Sequence, residues 1–318
     1  MPLGAEPLRR RGQRQCVLLI AIASMSACSQ PAGEQDPKAA YRGTIVLQDA
    51  GFQRPTAVIY DEQTQSYLVA NAPASPSENG FITRVSARGR IRVQQLRWID
   101  GNSSSTPLVS PMSMAVRNDT LFITDDGCIR FFHRTTGSPY GAICPPGLGD
   151  LIGLTVDRSG RMYVVANAIP SPAGVSGRDA VFRLDSGRRL SVAAEGDQLG
   201  RPGGVAAGPW GLFVTSNGAS HVLQITSDGL RPVLSGNRRE MGGIVATRNG
   251  SFALGSPSDS LVFFIERSRS SGRGSVWTLA RGVGTPSQLG YDPHRERILL
   301  TDAGRNRLVV IELSPPNK

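Results

Sequence analysis

Histidine is scarce in this chain of 318 residues: only His133, His221 and His294 occur, far apart in sequence. A metal site built from several imidazoles, or a Ser-His-Asp arrangement, is therefore not expected. No G-x-S-x-G, Walker A or C-x-x-C motif is present, so an α/β-hydrolase elbow, a P-loop and a thioredoxin-type redox pair are excluded. Aromatic residues make up 6% and charged residues 19%, against Gly 37 and Pro 22. That balance fits a turn-rich β protein better than a helical one. Long apolar runs are lacking too. The one continuous run, "CVLLIAIASMSA" from Cys16 to Ala27, is too short to cross a bilayer as a helix.

What that run has is the layout of an export signal. Arg9, Arg10, Arg11 and Arg14 precede it and small residues close it. "SMSAC" resembles a bacterial lipobox, which implies cleavage after residue 27 and a lipid on Cys28. Met25 stands where such sites more often carry Leu. The polar segment 28–42 reads as a tether. Ser29 after the Cys implies, by the same resemblance, the outer membrane facing the periplasm of a Gram-negative cell. A plain secretory signal is the alternative.

The net charge is +10, of which +3 lies in residues 1–27, leaving +7 on the rest. The arginines are spread along the sequence rather than run together. A nucleic-acid partner is therefore not expected. With Cys16 in the signal and Cys28 lipidated, Cys128 and Cys144 remain for an oxidising compartment. They flank a strand–turn–strand segment centred near Thr136, which sets one opposite the other and predicts a cross-strand disulfide.

Six segments share one pattern of a small or Pro-led entry, an apolar strand, a tight polar turn, a second strand and a polar corner. They start at Pro55, Pro111, Leu151, Pro202, Met241 and Pro286, a spacing of about 40 to 56 residues that suits four-stranded propeller blades. The first strands ("GGVAA", "GGIVA", "MSMAV") are small, as strands crowded around a central channel must be. The predicted fold is all-β: a six-bladed β-propeller over 43–318, with blades near 52–107, 108–147, 148–198, 199–239, 240–282 and 283–318. The last unit ends after its third strand. The segment 44–50, "TIVLQDA", is expected to supply the missing outer strand and close the ring. A seven-bladed ring is the alternative.

"ILLTDAGRNRLVVIEL" and "LFITDDGCIRFF" resemble the NHL repeat, and the likeness extends over roughly Phe52 to Leu313. It implies a six-bladed propeller related in shape to the senescence-marker (SMP-30)/gluconolactonase group. That group holds a divalent metal through Glu, Asn and Asp at the starts of inner strands. The matching positions here are Thr56, Met112, Ile152, Gly203, Gly242 and Ser287, none a carboxylate or amide. Gln53 and Asp150 lie nearby but do not complete a set. No metal site, catalytic residue or cofactor is expected beyond weak divalent-cation binding.

Long polar loops at 71–79, 100–110 and 167–179 all fall on one predicted face. Corner residues Asn71, Asp125, Asp126, Asn167, Ser216, Asn217, Ser256 and Asp302 surround the same channel mouth as a candidate polar ring. Asp, Asn and Ser at such positions also cap backbone amides. The expectation is a monomeric, membrane-anchored lipoprotein binding an envelope protein, peptide or glycan through this face. The alternative is a metal-dependent lactonase or hydrolase of the gluconolactonase type.

Overall fold

In the computed structural model, residues 41–75, 77–102, 108–171, 174–235, 240–267 and 274–313 are described. The signal, Cys28 and most of the tether lie outside them, as do parts of the loops 100–110 and 167–179. Six four-stranded antiparallel sheets form the chain's six blades. Blade 1 runs β2 (Pro55–Asp61), β3 (Ser66–Asn71), β4 (Phe81–Ser86) and β5 (Val93–Asp100). Blade 2 runs β6 (Pro111–Arg117), β7 (Thr120–Asp125), β8 (Cys128–His133) and β9 (Pro139–Ile143). Blade 3 uses β10 (Asp150–Val156), β11 (Met162–Asn167), β14 (Ala180–Leu184) and β15 (Leu190–Glu195), with a small hairpin, β12 (Ile169–Ser171) and β13 (Gly174–Ser176), inserted in its corner loop. Blade 4 is β16 (Pro202–Gly208) to β19 (Gly229–Ser235), and blade 5 is β20 (Ile244–Ala246) to β23 (Gly274–Arg281).

Blade 6 takes β24 (Pro286–Asp292), β25 (Arg297–Asp302) and β26 (Arg307–Leu313) from the end of the described chain, and β1 (Tyr41–Leu47) from its beginning. β1 lies antiparallel to β26 with Ile45 opposite Val310, so the ring closes without a bare edge on β26. The closing strand is earlier than the expected 44–50. Asp49 and Gly51 adopt positive φ, which turns residues 48–51 out of the ladder. The disulfide joins Cys128 and Cys144, Cα atoms 4.2 Å apart, just beyond the Ile129–Ile143 pair of β8 and β9.

Every blade buries its faces against the next. Leu68 and Ile82 of blade 1 pack with Leu121 and Phe132 of blade 2. Val262 and Trp277 of blade 5 pack with Leu300 and Ile311 of blade 6. Comparable clusters fill the other four junctions. Each such side chain contributes about 2 kcal/mol by leaving water, so the core is a ring of inter-blade layers.

The inner strands converge as their small residues allow. A Cβ on Gly243 would lie 2.3 Å from the Ser287 carbonyl oxygen, and one on Gly203 would lie 2.4 Å from that of Met241. No larger side chain fits between blades 4, 5 and 6 there. Hydroxyls join neighbouring inner strands: Thr56 Oγ1 donates to Pro111 O at 2.6 Å, and Ser113 Oγ accepts from Leu154 N at 3.0 Å.

Candidate functional site

Two faces follow from the strand order. The β3–β4 type loops and the blade-to-blade connections lie on one, here the corner face. The tight turns within each blade, of β2–β3 and β4–β5 type, lie on the other, the hairpin face. The long connections after Asn71, Asp100 and Asn167 all emerge on the corner face.

On that face the corner side chains are largely occupied. Asp125, fully buried, accepts from Ser110 N at 2.6 Å, from Val109 N at 3.2 Å and from the Arg130 guanidinium. Asp302 accepts from Thr285 N at 3.3 Å and from Arg307 Nε at 2.9 Å. Asn71 accepts from Gln53 N at 3.0 Å and donates to Thr83 Oγ1 at 3.1 Å. Ser216 accepts from Ala219 N, Asn217 from Met241 N, and Ser256 donates to Asp259. These are turn and strand-end caps. Asp126 is exposed with φ 49°, and the Asn167 Oδ1 atom is buried without a partner. In blade 3 the capping passes to Asp179, which accepts from Ala168 N at 2.9 Å and Arg201 N at 2.7 Å.

The corner-face end of the channel does not fit the metal that the family resemblance implies. Thr56 is committed to Pro111, and Gly203 and Gly242 press against neighbouring backbone. Met112 and Ile152 offer no hard oxygen, which a divalent cation of this kind needs. Gln53 donates its backbone N–H to Asn71 Oδ1, and its side-chain Oε1 accepts from Arg97 Nη2. Gln288 donates from Nε2 to Gly203 O at 2.8 Å, reaching past blade 5 and crossing part of the ring. Among the described residues no group of three His, Cys, Asp or Glu could hold a metal ion.

Below Gln288 runs a channel of about 350 Å³. Residues of all six inner strands line it, among them Ile59, Val116, Val156, Ala207 and Ala246 with Ser113, Thr155 and Gln288, and its wall is mixed polar and apolar. Its hairpin-face mouth carries Tyr60, Glu62, Tyr291 and Pro293 from blades 1 and 6. Two matching turns build that mouth. Asp61, wholly buried, accepts from Gln63 N at 3.2 Å and Arg134 Nε at 2.7 Å. Asp292, also wholly buried, accepts from His294 N at 3.0 Å, Arg295 Nη1 at 3.0 Å and Tyr67 OH at 2.9 Å. A turn-forming acid at the end of each inner strand thus presents the residues just after it at the channel opening.

Those residues meet. His294 Nε2 lies 2.7 Å from Glu62 Oε1, and the Tyr60 ring packs edge-on against the imidazole at 5.8 Å. The pair is open, with His294 41% and Glu62 69% exposed; so exposed a contact adds little stability. Tyr291 donates to Glu296 Oε2 at 2.6 Å. Burial first, then that hydrogen bond and the Glu296 charge, hold the phenol protonated far above its ordinary range. Tyr291 is thus a fixed donor rather than a base. An imidazole facing a carboxylate is a proton-transfer group. Sequence reasoning saw that the three histidines do not converge and missed this pair. The available signal was the shared turn position of "DE" at 61–62 and "DPH" at 292–294, which ring closure makes adjacent.

No protein-family model matches the chain, and no curated protein matches it. Solved structures do. A gluconolactonase from Xanthomonas campestris aligns at TM-score 0.65 and 17% identity over 90% of this chain and 99% of its own. A streptogramin B lyase aligns at TM-score 0.59 and 12% identity over 85% and 98%. The WD40 repeats of RRP9 align at TM-score 0.62 and 13% identity over 86% and 99%. Identities this low show a propeller fold shared with these structures and leave the chemistry to the site.

Proposed function

We propose that the chain is an enzyme acting on a small organic molecule bound in the central channel, with the His294–Glu62 pair moving a proton at its mouth. The observation that carries this is the placement of that pair beside Tyr60 and Tyr291 at the opening of the central channel. Lactonase and lyase propellers of the same shape support an enzyme more than a scaffold. The proposed chemistry is hydrolysis or elimination by general acid–base catalysis. Glu62 orients the imidazole and stabilises its cation, as a carboxylate partner does elsewhere. The family's metal step is not carried over, because the residues at the inner-strand starts do not fit the ion. A panel of lactones and aryl esters tests the proposal. His294→Ala and Glu62→Gln should each lower kcat/KM by about 100-fold or more with unchanged thermal midpoints. Turnover that survives both substitutions would sink it.

A second reading, an envelope protein that binds a protein, peptide or glycan, is favoured by one feature: the three long loops share the corner face, and the β12–β13 hairpin adds to it. Shortening loops 71–79 and 167–179 together should then abolish partner capture; unchanged capture counts against it. Under both readings we propose an exported lipoprotein, anchored through Cys28 in the outer membrane.

A further inference from the structure

The arginines that look scattered along the sequence are sorted by the fold. Exposed Arg88, Arg90 and Arg92 occupy the β4–β5 turn, and exposed Arg158, Arg189 and Arg248 occupy turns of blades 3 and 5, all on the hairpin face. None of these six guanidinium groups makes a hydrogen bond or ion pair with another described residue. The buried or half-buried carboxylates of that face, Asp61, Asp157 and Asp292, are already held by Arg134, Arg161 and Arg295. Glu62 faces His294 and Glu296 faces Tyr291. Exposed Asp119, Asp185, Asp228 and Glu266 remain, fewer than the six unpaired arginines, so arginine is in excess. Arg158 and Arg183 also line an open cleft of about 860 Å³ between blades 3 and 4. The corner face is closer to balance, with Asp49, Glu78, Asp126, Asp150 and Asp197 exposed alongside Arg54, Arg178, Arg201, Arg281 and Arg305.

A second observation concerns the chain that precedes the propeller. Tyr41 pairs with Leu313, the hairpin-face end of β26, so whatever precedes Tyr41 joins the ring on the arginine-rich face. It joins beside the three-arginine turn, since Ala87, Ile91 and Val93 pack in one cluster with Ile45 of β1.

We infer that the hairpin face docks on an anionic lipid bilayer, its guanidinium groups against headgroup phosphates. Arginine suits this because its planar fork bonds phosphate in two places and is weakly hydrated. Several such charges on one face add up within a Debye length of an anionic surface. The inference does not rest on the channel reaction, although docking would turn the Glu62–His294 mouth toward the bilayer. The anchor reading supplies only a membrane nearby.

The test uses residues 29–318, which hold every strand of the propeller and carry no lipid. Sedimentation with vesicles containing phosphatidylglycerol should be strong at low salt, weak at high salt and absent with phosphatidylcholine alone. Arg88→Gln/Arg90→Gln/Arg92→Gln should weaken it by about tenfold or more. Arg54→Gln/Arg178→Gln/Arg201→Gln, an equal charge loss on the corner face, should change it by less than about twofold. Equal losses in both triples, or no sedimentation of the parent protein, would overturn the inference. Binding to heparin without binding to vesicles would assign the face to a soluble polyanion and overturn it likewise. Mass analysis of Cys28 in the membrane-derived protein reports on the anchor separately, so the two can fail independently.

Discussion

Asp125 collects the amides of Val109 and Ser110 and the guanidinium of Arg130 while fully buried. Its neighbour Asp126 is exposed in a left-handed turn. Asp125→Ala should cost about 3 kcal/mol in urea unfolding, because two backbone amides and the Arg130 guanidinium lose their acceptor. Asp126→Ala should stay within about 0.5 kcal/mol. Channel turnover should be unchanged in both. The sequence alone placed Asp125, Asn71 and Asp302 at strand corners and favoured caps, since the same slot repeats from blade to blade. It did not foresee that Asn167 would leave the capping to Asp179, because that exchange depends on the path of the long blade-3 loop.

At the scale of elements, two cross-links carry testable weight. The disulfide ties the corner-face ends of β8 and β9 across a sequence separation of 16. Replacing both Cys128 and Cys144 by Ser should lower unfolding free energy by about 3 kcal/mol. Thiol titration of the denatured, unreduced parent protein should find neither sulfur free. The second is β1. Ile45 and Leu47 cover Leu308 and Val310 and complete the blade-6 sheet. A chain beginning at residue 48 should elute as aggregate in size-exclusion chromatography, with the β26 edge bared. A monomeric, cooperatively folding truncation would show that closure is dispensable. The need for a closing strand was legible, because the sixth unit stops one strand short. Its register was not, since two positive-φ residues, Asp49 and Gly51, set where the ladder ends.

Over the whole molecule, the ring juxtaposes what the chain keeps apart. Glu62 and His294 are 232 positions apart yet in hydrogen-bond contact, because blade 6 is neighbour to blade 1. The proposed anchor belongs at this scale as well. Cys28→Ser should move the exported protein from the membrane to the soluble fraction, measured by fractionation and immunoblot. Membrane retention of that variant in high salt would count against the lipid.

The sequence by itself determined the blade count, the order of strands, the cross-strand cysteine pair and the mismatch with a metal-binding channel. Each of these is written in local periodicity, turn chemistry or residue type at a repeat position. Only the tertiary structure decided which turns meet at the channel mouth and which face gathers the arginines. Closing a ring brings first and last blades together and sorts alternate turns to opposite faces, and neither relation is visible in linear spacing.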